Sequence, residues 1–331
     1  VRFSDYMNDW LYGTQGYYAT YRPIGKKGDF YTAVSTSKFF GGAIANHIIK
    51  RLDEGFLRPD SLICEIGAHH GYLLADIIEF LHTLRPQLLQ TLRFGIVERF
   101  ENLREAQQNY FDESFGNAVT LEHYSDLGEL NEQSTFFIAN EIFDAFGCEL
   151  FYKGKIARVE NHEIVFDIDD PEITALAEKY QQDRGEIALG YESFAEAMSR
   201  ASKHFEFMTF DYGELEARSD FSIRVYQSHQ TFPLFDEALN RSGAFGKNDI
   251  TYDVNFTHVK EAYEAQGIKC AQYATQLVAL VEMGILDLLS MLKEYAGDEI
   301  YAQELEKVKI LITPSLMGER FKMILFIQGK R

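Results

Sequence analysis

Leu62-Ile63-Cys64-Glu65-Ile66 is a short apolar run that stops at Gly67, and no other stretch constrains the fold as much. A brief run of this kind, ended by glycine, reads as a buried strand. Leu74, Ile77, Ile78 and Leu81 then recur on one face of residues 73–84, which is helical spacing. The rhythm repeats downstream. Residues 93–98 read as a second strand and 101–111 as a polar-faced helix, Val119-Thr120-Leu121 as a weak third strand and 135–139 as a strong fourth. Such alternation predicts an α/β fold, a parallel sheet with helices on both faces.

The flanks have another texture. Residues 1–60 are rich in Gly and Tyr, and only 39–52 reads as a helix, so 1–60 is set apart as an N-terminal segment. After the fourth strand, Leu150-Phe151-Tyr152 and Ile156-Ala157-Arg158-Val159 flank Lys153-Gly154-Lys155, the pattern of a hairpin. A charged, helical stretch follows to about residue 202, and 146–205 reads as an insertion. The core, 61–145, resumes over 206–331, starting with Phe207-Met208-Thr209-Phe210, which ends at Asp211. Residues 267–273 and 321–327 are further strand candidates. Residues 213–257 show little periodicity, and an irregular stretch of that length predicts a binding lid.

Bulk properties narrow the function. The formal charge is −19, so a phosphate backbone is repelled and no nucleic-acid partner is expected. The acidity serves solubility and is compatible with a basic peptide substrate. Cys64, Cys148 and Cys270 form no Cys-x-x-Cys pair, which argues against structural zinc or a disulfide framework and favours a reducing compartment. His69 and His70 are adjacent and have no third ligand nearby, so no metal site is expected. The longest apolar stretch, 277–292, is interrupted by Glu282 and Asp287 too soon for a membrane span. The opening Phe3-Ser4-Asp5-Tyr6 lacks the character of a cleavable signal.

Three clusters could carry chemistry. Glu65-Ile66-Gly67-Ala68-His69-His70-Gly71 lies between the first core strand and its helix, where doubly wound sheets bind ligands and glycines admit the backbone. An ordinary strand–helix turn fits the same residues. Glu98 ends the second strand, where an acid can accept from both ribose hydroxyls of a nucleoside. A nicotinamide dinucleotide would use the same acid, but it also needs the helix N-terminus free for pyrophosphate, and His69 and His70 crowd it. The third cluster is Asn140-Glu141-Ile142-Phe143-Asp144-Ala145, after the fourth strand. Two carboxylates there suit a guanidinium, whose planar donors bind carboxylates in pairs. They equally suit a helix N-terminus. His229, beyond Arg224 and Tyr226, is either a substrate contact or a hydrogen-bonded structural residue.

Taken together, the blocks resemble the MidA family of S-adenosylmethionine-dependent methyltransferases. The resemblance is carried by Asp5-Tyr6-Met7, Gly16-Tyr17-Tyr18, Gly28-Asp29-Phe30-Tyr31-Thr32-Ala33 and Phe40-Gly41, then by the loop from Glu65 to Asp76, Val97-Glu98 and Asn140-Glu141-x-x-Asp144-Ala145. Asp211-Tyr212-Gly213, Arg224-x-Tyr226-x-x-His229, Asp249-Ile250-Thr251 to Val254-Asn255-Phe256, and Met317-Gly318-Glu319 with Phe321-Lys322 complete it. The blocks run in order over nearly the whole chain. The resemblance implies a Rossmann-like class I methyltransferase sheet, with residues 1–60 covering the cofactor site and a hairpin-plus-helix insertion. S-adenosylmethionine is the implied donor and a protein arginine the implied acceptor.

By position, Gly67 and Gly71 would shape the cofactor loop, Glu98 would hold the ribose, and Glu65 would lie near the methionine ammonium. Asp29 and Thr32 would approach the cofactor, as would His69 and Asn140. Asn140, Glu141 and Asp144 would face the acceptor, with Asp211, Tyr212 and His229 as substrate contacts. A cytoplasmic location follows, or the mitochondrial matrix in a eukaryote, and the chain is compatible with a homodimer or a monomer. The family usually carries Gly-Pro-Gly-x-Gly in its loop, and here the middle glycine is His69. That departure keeps open a second class of function, the same fold used as a binding or assembly factor without chemistry.

Overall fold

A run of seven strands realises the expected alternation. In chain order the strands are β1 (Leu62–Ile66), β2 (Arg93–Val97), β3 (Leu121–Tyr124) and β4 (Thr135–Asn140). β5 (Cys148–Tyr152), β6 (Lys155–Glu160), β7 (Glu163–Ile168) and β8 (Arg184–Ala188) follow, then β9 (Phe205–Glu214). The chain continues with β10 (Arg224–Gln227), β11 (Gln230–Pro233), β12 (Asp249–Thr251), β13 (Val254–Asn255), β14 (Lys269–Thr275) and β15 (Phe321–Gln328). This computed structural model describes residues 1–19, 32–227 and 230–329. Its packing groups Thr32–Asn140, Glu196–Phe210 and Gln266–Arg331 as a core unit, and Val1–Tyr31, Glu141–Ala195 and Asp211–Ala265 as a second unit.

The core sheet has the order β14-β15-β9-β4-β1-β2-β3. β9, β4, β1, β2 and β3 pair in parallel, while β14 and β15 pair antiparallel. Every residue of β1 is buried, as a central strand covered on both faces requires. Strand order reverses at β1, so the loop after it lies at a topological switch point, where open α/β sheets bind ligands. The helix Tyr72–Leu84 buries Leu73, Leu74, Ile77, Ile78 and Leu81. It packs closely on the helix Phe39–Asp53, because a Cβ on Gly41 would stand 2.7 Å from the Cβ of Asp76. The expected division drew residues 32–60 into the N-terminal segment, but this helix pairing draws them into the core unit.

The second unit holds a four-stranded sheet, β7-β6-β5-β8, and a three-stranded one, β11-β10-β12. The hairpin turn between β5 and β6 uses Lys153 and Gly154, both at positive φ, as a tight two-residue turn demands. Here the structure departs from three expectations. The stretch expected to be helical to residue 202 also contains β7 and β8. The β7 burial alternates between exposed and half-buried, a weak apolar signal for a strand with one wet face. The described residues of 213–257 include β10 to β13 and the short helix Arg241–Ala244, where little regular structure was expected. Finally, the helix Phe3–Tyr12 was not anticipated, although Phe3, Tyr6, Met7, Trp10 and Leu11 recur at helical spacing and are all buried. Trp10 Nε1 donates to the carbonyl of Asn248 at 2.7 Å, fastening this helix within its unit.

At the C-terminal end, Lys322 is buried and its Nζ donates to the backbone carbonyl of Glu319. Among the described residues, no helix is long and apolar enough to cross a membrane.

Candidate functional site

In the core unit, the chain leaves β1 through a loop with three left-handed residues, Gly67 (φ 68°), His69 (φ 48°) and Gly71 (φ 79°). Glycine adopts this conformation freely, whereas a residue with a Cβ pays a strain of about 1–2 kcal/mol. His69 carries that strain here. The loop is nevertheless held firmly: Gly71 N–H donates to Ala68 O, Gly67 N–H to Val97 O, and the Gln107 amide to His69 O at 2.8 Å. A Cβ on Gly71 would meet the Phe111 ring at 3.0 Å, so glycine is required there by both conformation and space. Burial, with His70 adding to it, pushes the His69 imidazole down to about 3, so it is neutral at neutral pH.

Glu65, the penultimate residue of β1, is buried and accepts the N–H of Leu74 at 3.0 Å. Burial pushes its carboxyl up to about 8, and the nearby Asp76 and Glu98 push the same way. Glu98 follows β2, is also buried, and accepts the N–H of Phe100 at 3.1 Å. Burial raises its carboxyl as well. Two inward carboxylates at the ends of neighbouring strands make a pocket chemistry that calls for cationic and hydroxyl partners. Thr32 is occupied locally: its Oγ1 accepts from Ser35 N–H and caps the short helix Ala33–Thr36. Asp29 and His229 lie outside the described residues.

Asn140 ends β4, paired in register with Phe210 of β9. Of the residues that come next, Glu141 follows the end of β4, whereas Asp211 still lies within β9. Glu141 has φ 54°, a strained backbone for a residue with a Cβ and of the kind that clusters at functional sites. Neither Glu141 nor Asp144 begins an α-helix; the chain makes a single 3-10 turn, Phe143–Ala145.

In the second unit, Asp211 grips that turn. Its Oδ2 accepts from Phe143 N–H at 2.9 Å and from Asp144 N–H at 3.3 Å, and its Oδ1 from Tyr212 N–H at 2.9 Å. With 0% exposure and both oxygens engaged, Asp211 supports the turn. Tyr212, 4% exposed, is likewise turned inward, its phenol 2.5 Å from both Asp144 Oδ2 and Thr251 Oγ1. Burial holds Asp144 and Asp211 above the usual carboxylate range, and for Asp211 the neighbouring Asp144 and Glu141 add to it.

Sequence reasoning attached no role to Thr251 or Asp253. Thr251 stands opposite Arg224 on β10, and Asp253 Oδ1 takes the Arg224 guanidinium at 2.5 Å. Side chains this far apart in the chain meet only through strand pairing, and no local spacing signals them. Among the described residues, no group of three or more His, Cys, Asp or Glu side chains is arranged to hold a metal ion.

Comparison with known proteins places the chain. It is similar to "Protein arginine methyltransferase NDUFAF7, mitochondrial" of Rattus norvegicus, 24% identical over all of this chain and 82% of that protein. The Homo sapiens protein of the same name is 25% identical, with all of this chain and 81% of that one covered. Among solved structures, a Burkholderia thailandensis protein bound to S-adenosyl-homocysteine shares the fold with a TM-score of 0.82. It is 24% identical, and the match covers 99% of this chain and 88% of that one. The family described as "Putative S-adenosyl-L-methionine-dependent methyltransferase" matches residues 43–274, well over half the chain. The chain belongs to this family of S-adenosyl-L-methionine-dependent methyltransferases.

Proposed function

We propose that the chain transfers a methyl group from S-adenosylmethionine to an arginine side chain of a protein. The observation that carries this reading is the pair of carboxylates that follow β4: Glu141 on a strained backbone, and Asp144 held in the turn that Asp211 grips. Carboxylates in a dry environment suit a planar cation with several N–H donors. The relatives named as arginine methyltransferases support the same acceptor.

The residues after β1 and β2 fit the cofactor. Glu65 is a buried carboxyl in need of a cation, the role of the methionine ammonium, and Glu98 suits the ribose hydroxyls. Gly67 and Gly71 supply the left-handed turns, and His69 a neutral imidazole for the methionine carboxylate. Asn140 orients the reacting groups from the end of β4, while Asp29, Thr32 and His229 contribute from their segments. Bound S-adenosylmethionine supplies an electrophilic methyl group on a sulfonium. The chain's own task is to hold the acceptor nitrogen in line, keep water away, and accept a proton from the guanidinium as its charge redistributes. Either Glu141 or Asp144 takes that proton.

The test is Glu141→Gln, assayed with arginine-bearing proteins of the same cell. Turnover should disappear while calorimetry shows cofactor affinity unchanged. Full turnover in the variant would remove Glu141 from the mechanism. One observation favours a second reading: His69 occupies a left-handed position in the loop after β1, and a Cβ and ring there would narrow the space for a donor. If S-adenosylmethionine does not bind the folded protein, the chain is a methyltransferase fold acting as a binding or assembly factor.

A further inference from the structure

Of the buried polar atoms in the second unit that have no hydrogen-bond partner among the described residues, two belong to side chains linked through one tyrosine. Oδ1 of Asp144, 3% exposed, accepts nothing, although Oδ2 of the same carboxyl is taken by the Tyr212 phenol. Nη2 of Arg224, 8% exposed, donates to nothing, although Nη1 reaches Asp253 and Ser222 O and Nε lies 3.1 Å from the Tyr226 hydroxyl. The guanidinium carbon lies 4.5 Å from the centre of the Tyr212 ring. Thr251, the cross-strand partner of Arg224, closes the arrangement by meeting the same phenol. A carboxylate oxygen left open in a dry interior costs stability, so its persistence calls for a reason.

We propose that Arg224 is a positioning residue for Asp144: stacked on the Tyr212 ring, it fixes the phenol as the donor to Oδ2, so that Oδ1 stays open towards the methyl acceptor. This inference rests on the reading of Asp144 as an acceptor-side carboxylate. The physics has two parts. A cation over an aromatic face draws electron density from the ring, which makes the phenol a stronger donor. The same positive charge favours the ionised form of a neighbouring carboxylate, against the burial that disfavours it. Groups of the opposite tendency face Asp144 from several elements: Asp253 on the loop after β12, Asp211 on β9, and the phenols of Tyr18, Tyr191 and Tyr252. Arg224 is the cation that acts against them. Its ion pair with Asp253 balances the charge of an arginine held over the ring.

A structural ion pair between Arg224 and Asp253 would predict lost stability and nothing more. The positioning role predicts a change in Asp144 itself, which carboxyl-carbon NMR of aspartate-labelled full-length protein reads directly, with Asp144→Asn assigning the signal. In Arg224→Met, the Asp144 titration midpoint should rise by about one pH unit, the scale on which a nearby opposite charge acts. Arg224→Lys should restore most of the wild-type midpoint. Binding of S-adenosylhomocysteine, whose candidate residues lie on the core unit, should be retained in both and shows that the variants are folded. An Asp144 midpoint unmoved in folded Arg224→Met overturns the proposal. Should that variant fail to fold, Tyr212→Phe carries the test: loss of the phenol should raise the midpoint, and an unchanged midpoint overturns the proposal equally. Failure of the underlying reading looks different. There, Asp144→Asn keeps full turnover on the arginine acceptor while the Arg224 variants still shift the titration.

Discussion

Both candidate clusters bury carboxylates, and they stabilise them by different means. Glu65 accepts the Leu74 N–H and has two acidic neighbours, and burial carries it to about 8. Asp211 accepts three backbone N–H groups, and Asp144 has a phenol and the Arg224 charge acting on it. In the first cluster the charged neighbours acting on Glu65 are the acids Asp76 and Glu98, and the proposed cofactor would bring a cation to it. The second contains its own cation, already balanced by Asp253, and is shaped before any ligand arrives. A site of the first kind should respond strongly to its ligand and to pH; a site of the second kind should respond to mutation of its scaffold.

The largest expected effect falls on the second cluster. Glu141→Gln should lower turnover by roughly 10²–10⁴-fold, the usual contribution of a positioned acid or base, with S-adenosylhomocysteine affinity unchanged in calorimetry. Equal losses of turnover and cofactor affinity would show that the contrast between the clusters is drawn in the wrong place.

Next comes Glu65→Gln. If the carboxylate meets the methionine ammonium, the variant should bind S-adenosylhomocysteine about 10–100-fold more weakly, the worth of one hydrogen bond to a charged group. The pH dependence has a definite sign. A carboxyl raised from 4.5 to about 8 in the folded state stabilises fully below about pH 4.5, and that contribution fades as pH rises towards 8. Urea unfolding of the unliganded protein should therefore show a loss of stability across this window that Glu65→Gln flattens. Binding of the ligand at neutral pH should release a proton, visible as a heat that depends on the buffer. A buffer-independent heat would take Glu65 away from the ammonium.

Smaller effects probe the loop. Gly71→Ala should cost about 1–2 kcal/mol from its left-handed backbone alone, with the 3.0 Å approach to Phe111 adding to it. Unfolding midpoints would check this, and an unchanged midpoint would mean that the loop relaxes freely. His69→Gly should change stability least, by less than about 1 kcal/mol, because relief of strain is offset by a more flexible unfolded chain. Its sharper readout is affinity: a gain says that the imidazole obstructs the donor, and a loss says that it contacts the donor.

The two regions also differ in how much of them could be read beforehand. The β1 run, the helix behind it and the glycines between them are neighbours in sequence, so Glu65, Gly67, Gly71 and Glu98 could be singled out with their strand ends. The hairpin of β5 and β6 was legible for the same reason, through Gly154. The strand β7 and the sheet of β10 to β12 were not, because their burial is shallow or their partners are remote. The helix Phe3–Tyr12 stands apart: its apolar spacing was present in the chain and the aromatic-rich texture around it obscured the period.

By itself the sequence determined the α/β class, the succession of the first four core strands and the helices between β1, β2 and β3 along the chain, and the residue types at the ends of β1, β2 and β4. These follow from local periodicity and turn chemistry, which act over a few residues. Only the tertiary structure decided that Asp211 would grip the Phe143–Ala145 turn, that Tyr212 would bind Asp144, and that Arg224 would stack above it. Those contacts join residues dozens of positions apart. What selects them is the pairing of β10 with β12 and the burial of charge, where each carboxylate must find donors within the fold or hold a proton instead.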